Sequence, residues 1–324
     1  MNYKKVVVAG GGVLGSQIAF QAAYCGFDVT IWLRSEASVG RCQPKLDTLK
    51  ANYIADIEAM DKQDKTKPTF WARGLADVDT FNKEECLAKV ERAYSTIKLV
   101  VDKKEAYKDA DLVIESMAEI TDEKIAYYKD LAQYLDEKTV VVTNSSTLLP
   151  STFAKYTGRP EKYLSLHFAN HIWRSNTAEV MSQEKTDPKY FQELVEFANA
   201  IRMVALPVLK EKNGYLLNSM LVPFLMSGMD LVASGVSDPE SVDKAWVLGT
   251  GSPRGPFQIV DVVGLQTAYN IVLQFQKVPG LLNPILKKMM MPYNFKAMEK
   301  MLREKIEKGE TGVAAGKGFY TYTK

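Results

Sequence analysis

The 324-residue chain predicts an α/β protein: a mainly parallel sheet with helices on both faces, a helical arm after its second strand, then an all-α C-terminal domain. Three observations predict it. A β-branched run, Val6-Val7-Val8, enters a glycine turn and a helix-like segment. Strand-like and helix-like segments alternate from Asp109 to Val208, the signature of a mainly parallel sheet. Beyond Pro207 the strand signal vanishes until "GFYTY" near the end. The expected domains are therefore 1–207 and 208–324.

The opening "KKVVVAGGGVLGSQIAFQAAYCGFDVTIWLRS" reads as strand, turn, helix, strand. Three valines in a row suit a strand buried on both faces. Gly10, Gly12 and Gly15 form G-x-G-x-x-G between strand and helix, the Rossmann-type dinucleotide signal. Without side chains there, a backbone can approach a pyrophosphate, whose charge suits the positive end of the following helix. That helix carries Ile18, Ala19, Ala22 and Ala23 on one face and stops near Gly26.

Residues 36–105 break the alternation. Leu46, Leu49, Tyr53, Ile57 and Met60 recur at helical spacing, and "EECLAKVERAYSTI" reads as a second helix of the same arm. Its lysines read as a solvated face, with Lys45 or Lys50 placed to meet an anionic tail. Alternation then resumes. "DADLVIESMAE" is a strand, and "TDEKIAYYKDLAQYL" a helix with Thr121 at its N-cap. "KTVVVTNSS", "YLSLHFAN", "TAEVMS" and "RMVALPVL" are strands, with the helix "DPKYFQELVEFANAI" before the last. In the C-terminal part, "DPESVDKAWVLGTG", "FQIVDVVGLQTAYNIVLQF" and "NFKAMEKMLREKIEKG" read as helices. The segment 214–231 is apolar nearly all round, which predicts a buried helix at a domain seam or subunit interface.

Bulk properties narrow the function classes. With 41 basic and 39 acidic residues the formal net charge is +2, which leaves no electrostatic footprint for nucleic acid or an anionic membrane. No apolar run approaches the ~20 residues of a membrane span. The strand begins at once, with no room for a targeting peptide, and Cys25, Cys42 and Cys86 lack a C-x-x-C pair. A cytoplasmic protein with reduced thiols is expected.

Both histidines of the chain fall in "LHFANHIWRSNTAEVM", as His167 and His171, with Glu179 twelve residues past the first. Imidazole is the usual proton shuttle near neutrality. Twelve residues suffice for a strand to end, turn and return antiparallel, so the two side chains can meet. His171 is no metal ligand on this pattern, because a lone H-x-x-x-H pair lacks a zinc set.

In four stretches the chain resembles the 3-hydroxyacyl-CoA dehydrogenases, and the resemblance spans nearly its whole length. They are "VVVAGGGVLGSQIA", "TNSSTLLPSTFA", "HFAN" with a glutamate twelve residues on, and "NGYLLNSMLVPFL" followed by "GSPRGPFQIVDVVGL". The tail "AAGKGFYTYTK" is also similar. The resemblance implies hydride transfer between a nicotinamide and C3 of a 3-hydroxyacyl or 3-oxoacyl thioester. It implies that His167 is the general acid/base, that Glu179 orients it, and that Ser146 and Asn218 bind the reacting oxygen. It places Gly10, Gly12, Val13, Leu14 and Gly15 at the pyrophosphate, and Glu119, Lys124, Ser146 and Asn170 along the nicotinamide half. Each has a plain alternative: Ser146 as a strand-end cap, Lys124 as a solvated helix residue, Asn218 as a buried amide. The resemblance also implies a homodimer.

Two departures stand out. The acidic residue that ends the second strand in the family is Leu33 here, followed by Arg34 and Ser35, types that accommodate a 2′-phosphate. NADP(H) is therefore expected over NAD(H), with NAD(H) possible. A charge-assisted contact of about 1.5–3 kcal/mol gives roughly ten- to hundredfold discrimination. The family's proline after "HF-x-N" is His171, "IWRSNTA" replaces an apolar segment, and Arg254 stands where an apolar residue is usual. These changes predict a more polar, more cationic pocket. They keep open a small anionic 3-hydroxy acid without CoA, the substrate type of gulonate and carnitine dehydrogenases. A non-catalytic dinucleotide-binding protein is the alternative from another class.

Overall fold

The computed structural model describes residues 3–276 and 293–322; the last two residues of "AAGKGFYTYTK" lie outside them. The chain divides into two compact units, Met1–Leu216 and Leu217–Lys324. The expected division after position 207 falls inside a strand, Val204–Val208, that is parallel-paired in the sheet of the first unit.

That sheet has eight strands in chain order β1 Lys5–Ala9, β2 Asp28–Trp32, β3 Lys98–Val100, β4 Leu112–Glu115, β5 Val140–Thr143, β6 Tyr163–Phe168, β7 Thr177–Met181 and β8 Val204–Val208. Their spatial order is β3-β2-β1-β4-β5-β6-β7-β8. Every neighbouring pair is parallel except β6 and β7. Successive side chains of a strand point to opposite faces. Val6 and Val8 thus enter one core with Ile18 and the arm, and Val7 and Ala9 the other with Tyr107, Tyr128 and Tyr163. This is why β1 is apolar without alternation.

Helix α1 (Val13–Tyr24) follows the glycine turn. The arm is α2 (Glu36–Asp61) and α3 (Lys83–Thr96), and α2 buries Leu46, Leu49, Tyr53, Ile57 and Met60 as their spacing predicts. Three details differ from the sequence reading. Strand β3 was read as part of the arm, since three residues are too few to show alternation. After α4 (Lys103–Tyr107), helix α5 (Thr121–Leu131) is capped by Ile120, so Thr121 is its first residue. After α6 (Pro150–Phe153) and α7 (Pro188–Ala200), the "NGYL" segment is not yet helical, because Gly214 and Tyr215 have φ of 78° and 50°.

The second unit contains α8 (Leu217–Ala233), α9 (Pro239–Thr250), α10 (Pro256–Val263), α11 (Leu265–Gln276) and α12 (Phe295–Glu307). The single helix read over "FQIVDVVGLQTAYNIVLQF" breaks at Gly264, where φ is 91°. Nor is α8 buried throughout: Leu225, Met226 and Met229 enter the unit's core, whereas Met220 is 67% exposed. "GFYTY" is not a strand: only Thr321 in it forms a bridge, to Lys317.

Candidate active site

The site gathers at the carboxyl ends of β1, β4, β5 and β6, the edge where open α/β sheets bind ligands. At the end of β1, Gly10 has φ of 116°, and a Cβ there would stand 2.6 Å from the Ser116 carbonyl oxygen. A Cβ on Gly15 would stand 2.1 Å from the carbonyl oxygen of Gly10. Both glycines are thus demanded by close packing of turn, helix and β4. At Gly12 a Cβ would meet nothing within 4 Å, so open space lies over the N-terminus of α1. Gly12 caps that helix without a side-chain bond, and its first turn carries no acidic residue. Such an uncapped, unopposed helix end fits a pyrophosphate. Val13 is 62% exposed beside it, and Leu14 packs partly against the core.

β6 and β7 pair antiparallel in a register that sets His167 directly opposite Glu179. The imidazole Nδ1 lies 2.8 Å from Glu179 Oε2, and Nε2 lies 3.1 Å from the Ser146 hydroxyl oxygen. The Leu216 backbone N–H donates to Glu179 Oε1 at 2.8 Å. With Nδ1–H given to the carboxylate, Nε2 is left to accept a proton from the Ser146 side. His167 and Glu179 are 3% and 2% exposed, and a carboxylate so buried needs both oxygens satisfied. The Tyr215 ring stacks on the imidazole, 4.4 Å between centroids and 13° from parallel, while its hydroxyl donates to the Ser145 carbonyl at 2.8 Å. Burial raises the Tyr215 phenol, which stays neutral.

Ser146 follows β5 and is placed by Glu119, which accepts the Ser146 backbone N–H at 2.9 Å and the Ser145 hydroxyl at 2.7 Å. Serine, histidine and glutamate in line resemble a hydrolase triad. Here, though, the serine's own N–H is committed to the Glu119 carboxylate and is not free to serve in an oxyanion hole. The arrangement suits proton transfer at an oxygen held by Ser146.

The other expected residues divide. Arg34 is exposed, 3.8 Å from Glu123, and Ser35 is the N-cap of α2 without a side-chain capping bond, its hydroxyl lying 3.0 Å from that of Ser38. Leu33 is buried, so no carboxylate ends β2. Asn170 is exposed in the turn after β6, and Asn218 is the second residue of α8, in the second unit. Lys124 does not line the site. Its side chain is 1% exposed and donates to Glu115 Oε1 at 2.6 Å. Glu115 ends the fully buried strand β4, where a charge must be paired, and it also takes the Met117 N–H and the Tyr128 and Thr143 hydroxyls.

For Arg174 and His171 the expected extra cationic charge is corrected. Arg174 is bound bidentate by Asp56 of α2, from Nε at 2.5 Å and Nη2 at 2.6 Å, and Trp173 Nε1 adds a bond of 2.6 Å to the same carboxylate. His171 has φ of 58° and gives its backbone N–H to Gln17 Oε1 at 2.8 Å. Burial and then the Arg174 cation hold its imidazole below the ordinary range, so it is neutral. Sequence reasoning missed Tyr215, the Leu216 N–H, Asp56 and Glu115. Only Glu115 carried a signal, as a lone charge in an apolar strand.

Among the described residues no helix is long and apolar enough to cross a membrane. The family described as "3-hydroxyacyl-CoA dehydrogenase, NAD binding domain" matches residues 5–212, and "3-hydroxyacyl-CoA dehydrogenase, C-terminal domain" matches 214–322. Human mitochondrial hydroxyacyl-coenzyme A dehydrogenase is 29% identical over 98% of this chain and 91% of its own. The 3-hydroxybutyryl-CoA dehydrogenase of Clostridioides difficile is 28% identical over 99% of this chain and 100% of its own. Among solved structures, a diketoreductase, described by its substrate-directed dual catalysis of dicarbonyl compounds, is 41% identical. It superposes with a TM-score of 0.82 over 99% of this chain and 100% of that one.

Proposed function

Because the chain belongs to the 3-hydroxyacyl-CoA dehydrogenase family, we propose that it interconverts a 3-hydroxyacyl-CoA and a 3-oxoacyl-CoA, with short chains such as 3-hydroxybutyryl-CoA and acetoacetyl-CoA preferred. It is an oxidoreductase that uses a nicotinamide dinucleotide. The observation that carries the reading is the Ser146–His167–Glu179 line, at the same sheet edge as the glycine turn.

A nicotinamide dinucleotide held at the glycine turn would supply the hydride acceptor for C3 in oxidation and the hydride donor in reduction. His167 Nε2 removes the 3-hydroxyl proton in oxidation and gives it back in reduction, a transfer worth roughly 10²–10⁴-fold in rate. Ser146 donates to the reacting oxygen as charge develops there. Glu179 stabilises the imidazolium, and the Leu216 N–H keeps that carboxylate from turning away. Glu119 and Asn170 are the residues that would hold the nicotinamide half. The buried Leu33 and exposed Arg34 at the end of β2, with Ser35 beside them, support NADP(H) over NAD(H). A non-catalytic dinucleotide-binding role leaves the His167 Nε2 turned to Ser146 without a use.

A second reading has a specific support. The 41% identity to a diketoreductase favours a small dicarbonyl compound or 3-hydroxy acid without CoA. Initial rates on acetoacetyl-CoA, free acetoacetate and a CoA-free diketo ester, each with NADPH and NADH, separate the readings. Acetoacetyl-CoA with NADPH should give the highest kcat/KM. A CoA-free substrate at equal or better kcat/KM overturns the thioester assignment, and equal use of NADH overturns the coenzyme preference. We also propose a cytoplasmic homodimer. The apolar exposure of the second unit supports self-association, with Met220 at 67%, Val236 at 69% and Leu248 at 81%. Sedimentation equilibrium that returns one chain's mass refutes it.

A further inference from the structure

We propose that Ser38, Arg41 and Lys45 of α2 form the receptor for a phosphomonoester on the ribose 2′ position, the group that distinguishes NADP(H). The proposal rests on the coenzyme preference above and assigns it to residues outside the strand end. Positions three and four apart share one stripe of a helix. This stripe, with Gly10, Leu33 and Arg34, lines one cleft of about 340 Å³ beside the glycine turn.

The partners of these side chains point to an anion. Arg41 Nη2 donates to Ser38 Oγ at 2.8 Å, and Lys45 Nζ donates to the Arg41 carbonyl at 2.5 Å. Both cations therefore rest on neutral oxygens. Among the described residues neither has a carboxylate partner. Lys50, farther along the same helix, is already paired with Glu91 at 2.7 Å and lies outside the cleft lining. Arg34 completes the wall, with Glu123 at 3.8 Å as the cleft's only carboxylate among the described residues. The lining also offers no acid at the end of β2 to accept ribose hydroxyls, since Leu33 stands there. A dianionic phosphate would replace neutral oxygens with charge-assisted bonds, the stronger kind.

The test is equilibrium binding by calorimetry, independent of turnover, with adenosine 2′,5′-bisphosphate, 5′-AMP and inorganic phosphate as probes. Wild-type protein should bind the bisphosphate roughly ten- to hundredfold tighter than 5′-AMP, the range of one charge-assisted contact. Arg41→Met should remove at least tenfold of that difference, Lys45→Met a smaller part and Ser38→Ala a fewfold, each with an unchanged thermal midpoint. Lys50→Met should change neither affinity. If wild type does not distinguish the two nucleotides, the coenzyme preference itself fails. If it does but Arg41→Met keeps the difference within twofold, the preference stands and this receptor is wrong. Inorganic phosphate bound as tightly as the bisphosphate also overturns it, since the site would then read any phosphate.

Discussion

Two buried acid–base pairs are anchored on the same sheet, and they behave differently. Glu115 and Lys124 form a closed pair: the carboxylate takes four donors and the ammonium is 1% exposed. Glu179 and His167 are nearly as buried, but the imidazole has a second nitrogen turned to Ser146. Burial and pairing are common to both, so neither marks a catalytic group. What separates them is an atom left over to exchange a proton with a ligand. A lysine beside a buried glutamate spends its charge holding the start of a loop, whereas a histidine can be held at one nitrogen and work at the other.

The largest effect expected from this contrast is on turnover. His167→Ala should lower kcat by roughly 10²–10⁴-fold while coenzyme binding, followed by nucleotide fluorescence, stays nearly unchanged. Turnover within a fewfold of wild type would end the proton-transfer assignment. Lys124→Met should act on stability instead, costing about 3–5 kcal/mol in urea unfolding, because one partner of a buried pair is removed. A loss of kcat with stability intact would erase the distinction between the pairs.

Smaller effects sharpen it. Asp56→Ala should cost about 1–3 kcal/mol, since the Trp173 indole loses its acceptor in the interior and Arg174 its carboxylate. Tyr215→Leu should lower kcat more than it raises KM, by a fewfold to about tenfold, the worth of an aromatic stack of about 0.5–1.5 kcal/mol. An equal loss in binding would mean that the ring meets substrate rather than holding the imidazole. His171 gives the smallest effect, and it depends on pH. Its imidazole is depressed below the unfolded value, so the unfolded chain binds more protons near that value and below. Stability should therefore decline as pH falls below about 6.5. His171→Asn should flatten that slope in urea midpoints measured between pH 7 and 5; an unchanged slope would show that other groups set it.

The legible parts of this molecule are those whose partners lie close along the chain. Val6 to Gly15, the arm's stripe from Leu46 to Met60 and the twelve-residue spacing of His167 and Glu179 all report local periodicity or one short connection. The misread parts depend on distant partners or on a geometry with no compositional mark. Arg174 looks like a free cation until Asp56, 118 residues away, closes on it. Lys124 lies on a helix whose sequence would equally suit water, and only its position under β4 shows otherwise. Tyr215 comes to the imidazole through a left-handed turn that an apolar "GYLL" conceals within a helical pattern. The second unit's helices were legible for the same local reason, apart from the break at Gly264.

The reversal of β7 confines the acid–base pair to a single hairpin, whose tip carries Asn170, His171 and Arg174. A parallel neighbour would have needed a crossover of a dozen or more residues, with the partner's register hostage to everything inserted between. Here the tip can be rewritten while the rungs below it keep imidazole opposite carboxylate. A scaffold wired in this way can trade one substrate for another without re-tuning its proton chemistry.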